Sequence, residues 1–300
     1  MYGDRLKITL SQSDSSQFAA SKSAPAYILV VHGSRNQSYQ AAVEQLGALV
    51  RSYGRFRLGG ISPLVHIAFL ELHPLPLHRQ IAEFATRAAK DGCSRIQVLP
   101  VFLHPGVHVM EDIPAEVAAT QEMLDPQITI ELRPYLGTNI LALSQLLASK
   151  ISHLEERPSD RSWILLSHGS RRPGANQCVV EIADLIGCQF GIEVAIAFWS
   201  ISPTLEERVA ELTGSPHLAL VGSDGVSSQA KIQAKTQMKS LVIIPYFLFA
   251  GGITEAIAQS VGQLRQKYTN ISIQVMDTIG ASEDLAAIVF QLAQCPITHE

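Results

Sequence analysis

The chain has 300 residues, 47% of them apolar and 17% charged, with 20 Gly and 15 Pro, which excludes a disordered tail, a collagen and a coiled coil and leaves enough apolar mass for about two domains at roughly 150 residues each. A formal net charge of −4 gives no general basic field, so neither nucleic acid nor a membrane surface is an expected partner, and an acidic ligand must be met by local Arg or His. Cys93, Cys178, Cys188 and Cys295 form no CxxC pair, and no apolar run reaches the roughly 18 residues of a spanning helix, so the chain reads as a cytoplasmic protein with free thiols.

Residues 1–24 are rich in Ser and Gln and lack the apolar stretch of an export signal, so they read as a disordered polar tail. The β-branched run from Tyr27 to Val31 predicts a strand that ends in His32-Gly33-Ser34-Arg35, and Ala42, Val43, Leu46, Leu49 and Val50 then recur at helical spacing. A second strand runs from His66 to Leu70, followed by a helix from about Leu77 that Gly92 stops. Ile96 to Leu103 predicts a third strand. The loop from His104 to Met110 leads through Asp112-Ile113-Pro114 into a helix, with Asp112 as its cap and Pro114 in its first turn. Ile128 to Leu132 is a fourth strand, and Thr138-Asn139 caps a helix striped by Ile140, Leu143, Leu146, Leu147, Ile151 and Leu154. Strands alternating with helices call for a parallel sheet covered on both faces, with ligands at the carboxyl ends of the strands.

After the charged stretch Glu155 to Ser162 the pattern begins again. Val30-Val31-His32-Gly33-Ser34-Arg35 matches Leu166-Ser167-His168-Gly169-Ser170-Arg171, and Ala68-Phe69-Leu70-Glu71 matches Ala197-Phe198-Trp199-Ser200. Pro100-Val101-Phe102-Leu103 with Gly106 matches Pro245-Tyr246-Phe247-Leu248 with Gly251. The fold class is therefore α/β with two tandem domains, each a four-stranded parallel sheet flanked by helices. Residues 25–157 form the first and 158–300 the second, which carries a polar insertion near Gly222 to Ser240.

His32 and Glu71 fall at strand ends and His108 in the loop after the third strand, so all can face one crevice. Two imidazoles and a carboxylate suit a divalent first-row metal and can also accept protons near neutral pH. The second copy keeps His168 but has Ser200 for Glu71 and Ile253 for His108. One ligand makes no metal site, so it reads as a degenerate repeat. No G-x-x-x-x-G-K loop is present, and ATP dependence is not expected.

The His32-Gly33-Ser34-Arg35 segment together with His104-Pro105-Gly106-Val107-His108-Val109-Met110-Glu111-Asp112-Ile113-Pro114 resembles the CbiX/SirB sirohydrochlorin chelatases of the class II chelatase family, over nearly the whole chain from residue 26. The resemblance implies a lyase that inserts Fe2+ for siroheme, ahead of Co2+ for cobalamin, into sirohydrochlorin, with no cofactor beyond the substrate metal. It implies that His32 and His108 hold the metal, that His32 accepts a proton, and that the backbone from Leu103 through His104, Pro105 and Gly106 to Val107 lines the macrocycle pocket. Glu71 is expected to accept a proton, balance charge or ligate. Arg35, with Arg79, Arg133 and Arg171 behind it, is a candidate for the substrate carboxylates, and His104 is an auxiliary ligand or carboxylate contact. Short relatives are homodimers and long ones fuse two copies, so the chain is expected to be a monomer. The alternative is a tetrapyrrole or metal carrier on the same fold; a two-lobed solute binder is disfavoured because no export signal is seen.

Overall fold

Apolar runs of strand length and stripes of helical period become strands and helices in the expected order. The computed structural model describes residues 24–154, 161–214 and 240–295. The first repeat contains β1 (Ala26–Val31), α1 (Gln37–Arg57), β2 (Leu64–Phe69), α2 (Leu77–Lys90), β3 (Arg95–Pro100), α3 (Ile113–Met123), β4 (Thr129–Leu132) and α4 (Ile140–Ser152). The second contains β5 (Ser162–Ser167), α5 (Gln177–Phe190), β6 (Val194–Phe198), α6 (Leu205–Thr213), β7 (Ser240–Pro245), α7 (Gly252–Lys267), β8 (Ser272–Val275) and α8 (Glu283–Gln294). The polar tail, the linker at 155–160 with the domain boundary, and the insertion up to residue 239 lie outside the described residues. Among the described residues no helix is long and apolar enough to cross a membrane.

Both sheets are parallel throughout and share one strand order, β2-β1-β3-β4 in the first repeat and β6-β5-β7-β8 in the second. All six residues of β1 are buried, as a central parallel strand with helices on both faces requires. The outer face of the first sheet packs on α2 and α3 through Ile81, Phe84, Ala85, Ile113 and Val117. The outer face of the second packs on α6 and α7 through Leu205, Val209, Ile257 and Val261.

The inner faces meet in one core that runs through both repeats, from Tyr27, Leu29, Leu46 and Val50 to Trp163, Ile182, Val289 and Phe290. Helix α1 packs on α8 and α4 on α5, the exchange of equivalent helices that a two-fold relation between repeats produces. At Gly54 a Cβ would lie 2.7 Å from Pro63 Cγ and 3.1 Å from the Phe290 ring, so α1 and α8 touch where α1 has no side chain. Phe290 meets the edges of Tyr27 and Tyr53, and the Gln294 amide donates to the buried Tyr27 hydroxyl at 3.2 Å.

The structure departs from the sequence expectations at four points. The third strand ends at Pro100 rather than Leu103, because the chain leaves the sheet after Val101 donates its last ladder bond to Val30 at 2.8 Å. The segment His108–Asp112 is a π-helical turn rather than a loop, and Asp112, already helical, makes no cap bond to α3. Arg133 is unavailable to substrate: it is buried, pairs with Glu131, and donates to the carbonyls of Leu292, Ala293 and Cys295 at the end of α8. A guanidinium there satisfies carbonyls that the helix leaves unpaired and complements its dipole.

Candidate active site

The parallel ladder continues past the strand ends and sets the site. Leu70 N–H donates to the Val31 carbonyl and Glu71 N–H to the His32 carbonyl, each at 2.9 Å, which places Glu71 beside His32. Gly33 has φ +102°, and a Cβ there would stand 2.2 Å from the Glu71 carbonyl oxygen. Only glycine permits this close crossing of the two loops. The chain leaving β3 passes under Gly137, which donates to the Phe102 carbonyl at 2.8 Å, and then rises into the π-helical turn whose first residue is His108. Such turns are found frequently at functional sites.

His32, Glu71 and His108 converge there, with one ligand atom from each lying within 4.8 Å of the others. The imidazoles are edge-to-face with centroids 5.1 Å apart, and Phe102 tilts against both at 6.5 and 6.4 Å. His108 Nε2 is 3.8 Å from Glu71 Oε1. His32 Nδ1 is 3.2 Å from the Gly33 carbonyl and His108 Nδ1 is 2.7 Å from Asp112 Oδ2. Both partners only accept, so each ring donates through Nδ1–H and keeps its Nε2 lone pair for the crevice. The trio is partly exposed, within reach of an incoming ion. Val107 and Met110 beside His108 also project apolar side chains into solvent. A cavity of about 350 Å³ adjoins the trio, lined by Leu70, Glu71, Leu77, His108, Asp112 and Glu116.

The second repeat reproduces the scaffold but keeps only His168 of the three ligand positions. Ser200 N–H donates to the His168 carbonyl at 2.9 Å, as Glu71 does to His32, but the Ser200 hydroxyl is spent on the same carbonyl at 2.8 Å. Exposed Ile253, the second residue of α7, stands where His108 begins its turn. The repeats are bridged beside the site at two places. Asn36 Nδ2 donates to Glu255 at 3.1 Å, and Arg172 pairs with Glu111 at 2.8 Å.

The expected substrate-binding residues separate into two groups. Arg35 is exposed in the loop after β1, and Val107 is exposed next to His108, while Pro105 and Gly106 are half-buried. Leu103 is turned inward instead: its side chain belongs to the shared core, and a Cβ on Gly137 would lie 2.1 Å from its carbonyl oxygen. His104 is also turned away from the trio. It meets Ser167 Oγ at 3.0 Å, Cys178 Sγ at 3.7 Å and the edge of the Tyr246 ring, all in the second repeat. Burial, with a smaller contribution from nearby His168, pushes its imidazole down to about 4 from 6.5.

A neutral, half-buried His104 has a measurable consequence. The unfolded chain takes up a proton at about pH 6.5 while the folded chain resists it until about 4, so stability holds above pH 6.5 and is lost as pH falls toward 4. The melting temperature is expected to drop between pH 7 and pH 5. His104→Phe, which copies Phe249 of the second repeat, is expected to drop by less when the two are melted side by side.

The CbiX family model matches residues 26–153, 162–221 and 224–294, covering both repeats. The chain belongs to the CbiX family. Among characterised proteins, this CbiX chain is 25% identical over 236 residues to a sirohydrochlorin cobaltochelatase of Priestia megaterium, covering 78% of this chain and 69% of that protein. It is 24% identical over 242 residues to a sirohydrochlorin ferrochelatase of the same organism, covering 80% and 79%. SirB from Bacillus subtilis with Fe3+ shares the fold at a TM-score of 0.68, with 21% identity over 90% of this chain and 94% of that one.

Sequence reasoning missed Asp112 as the partner of His108, although the spacing of four that joins them on one helical face was visible; its place before Ile113-Pro114 resembled a helix cap. The bridges from Asn36 to Glu255 and from Arg172 to Glu111 left no local signal, because they depend on how the repeats dock.

Proposed function

We propose that this CbiX-family chain is a sirohydrochlorin chelatase, inserting a divalent metal into the macrocycle without ATP, through one site in its first repeat. The observation that carries this reading is the convergence of His32, Glu71 and His108 within 4.8 Å at the carboxyl ends of one parallel sheet. Both P. megaterium relatives are named as chelatases of sirohydrochlorin, one for cobalt and one for iron.

The geometry supplies what metal insertion demands. The ion must shed water while the ring loses its pyrrole N–H protons, so a holder and a base belong on one face of the ring. The free Nε2 atoms of His32 and His108 are the holder, and Glu71, exposed and 3.8 Å from His108 Nε2, takes up the two pyrrole protons in turn and releases each to water. Val107 and Met110 offer an apolar platform to the flat macrocycle, and Arg35 a cation to its carboxylates. Fe2+ is placed ahead of Co2+ on the resemblance to the CbiX/SirB chelatases, since the donor set itself binds Co2+ at least as tightly as Fe2+.

The test is anaerobic absorbance of sirohydrochlorin with Fe2+ or Co2+ in nucleotide-free buffer. The metallated product is expected to form in proportion to protein, faster with Fe2+; a rate equal to that without protein overturns the proposal. A carrier on the same fold would bind both ligands and turn over neither. Glu71→Gln, which keeps the oxygen ligand but not the base, is expected to lower turnover by about 10²-fold while Co2+ binding falls much less. Titration of the variant with Co2+ beside the turnover assay checks this split.

A further inference from the structure

Three carboxylates stand near His108 on one stretch of chain, and their partners sort them. Glu111 reaches across to Arg172 at 2.8 Å. Glu116 accepts from the backbone and the Nδ1 of His78 at 2.7 and 2.8 Å. Asp112 alone turns to His108, accepting from Nδ1 at 2.7 Å, the short range of a charge-assisted bond.

We propose that Asp112 is a positioning residue for metal capture, fixing the ring of His108 so that its Nε2 lone pair faces His32 and Glu71. The inference rests on the reading of that trio as the metal site. In the π-helical turn, Ile113 N–H bonds back to the His108 carbonyl, so His108 and Asp112 stand at its two ends with their side chains adjacent. The Asp112 backbone is helical and its carboxylate makes no bond to α3, which leaves the carboxylate to His108. Both side chains are more than a third exposed, and exposed ion pairs of this kind add little to stability. What the contact does is set orientation and tautomer. A carboxylate behind a ligating imidazole also raises its donor strength, and losing such a partner commonly weakens metal binding by about 10- to 100-fold. His32 has only the neutral Gly33 carbonyl in this role, so the two ligands are held differently.

The test uses the full chain and Co2+ alone, with calorimetric titration and ¹⁵N NMR of the His108 ring. Asp112→Ala is expected to weaken Co2+ binding by about 10- to 100-fold and to replace the single Nδ1–H tautomer by a mixture, with the melting temperature nearly unchanged. Asp112→Asn removes the charge and can offer Nδ1 either its oxygen or its amide N–H, so it too is expected to lose at least about tenfold in affinity; being isosteric, it keeps the test open if the alanine variant fails to fold. Wild-type affinity in Asp112→Ala or Asp112→Asn, or an unchanged His108 tautomer in Asp112→Ala, overturns the role of Asp112. If His32→Ala and His108→Ala also bind Co2+ as wild type does, the trio itself is misread, which is a different failure.

Discussion

Replacing His32 or His108 with alanine is expected to lower kcat/KM for metal insertion by about 10³-fold, whereas His168→Ala should stay within about threefold of wild type. Either first-repeat change takes one of two imidazoles from a site whose ligand atoms lie within 4.8 Å of one another. It removes one of the two groups that hold the ion for delivery to the ring, and losses of about 10²- to 10⁴-fold follow removal of a positioned catalytic group. In the second repeat Ser200 and Ile253 stand where Glu71 and His108 stand in the first, so His168 lacks the counterparts of both other ligands. All three histidines lie outside the shared core, and the variants should melt within a few degrees of wild type. Steady-state kinetics with a thermal melt on each variant checks both halves of the prediction. Equal losses from all three would show that the second repeat takes part in the chemistry.

Cutting the chain in two is expected to convert it from a monomer into a self-associating fragment. One core joins the repeats, and the inner face of the first contributes Tyr27, Leu46, Val50, Leu143, Leu146 and Leu147 to it. In residues 24–157 alone these side chains lose the cover of α5 and α8. Burying them again is worth about 25 cal/mol per Å², which drives a second copy, or an aggregate, onto the same face. Light scattering should give 32.6 kDa for the full chain and twice the fragment mass, or more, for residues 24–157. A full chain that dimerises while the fragment stays monomeric and soluble would show that fusion of the repeats did not replace a dimer contact.

Most of the fold was legible because its signals are local. The run Tyr27 to Val31, the stripe from Ala42 to Val50 and the Asn139 cap, which accepts from Ala142 N–H at 3.4 Å, each declare their element within a few residues. The trio was legible because parallel topology sends the ends of β1, β2 and β3 to one edge, so His32, Glu71 and His108 needed only their places in the element order. The repeat showed in addition which copy had lost its ligands. Residues whose roles depend on docking between repeats were not legible. His104 looked like a pocket histidine from its distance to His108, yet its ring packs on Ser167, Cys178 and Tyr246. Arg133 looked like a candidate for the substrate carboxylates, yet it closes the end of α8. Asp112 was misread for another reason: a cap and a histidine partner share one local sequence, and the π-helical turn decides between them.

The central claim is catalysis at one site in the first repeat, and its most direct measurement is anaerobic turnover with sirohydrochlorin and Fe2+ in large excess over protein, without nucleotide. Wild type and His168→Ala are expected to metallate many equivalents per chain while His32→Ala turns over about 10³-fold more slowly. Conversion that stops at one equivalent per chain, or a His168→Ala variant as inactive as His32→Ala, would contradict it.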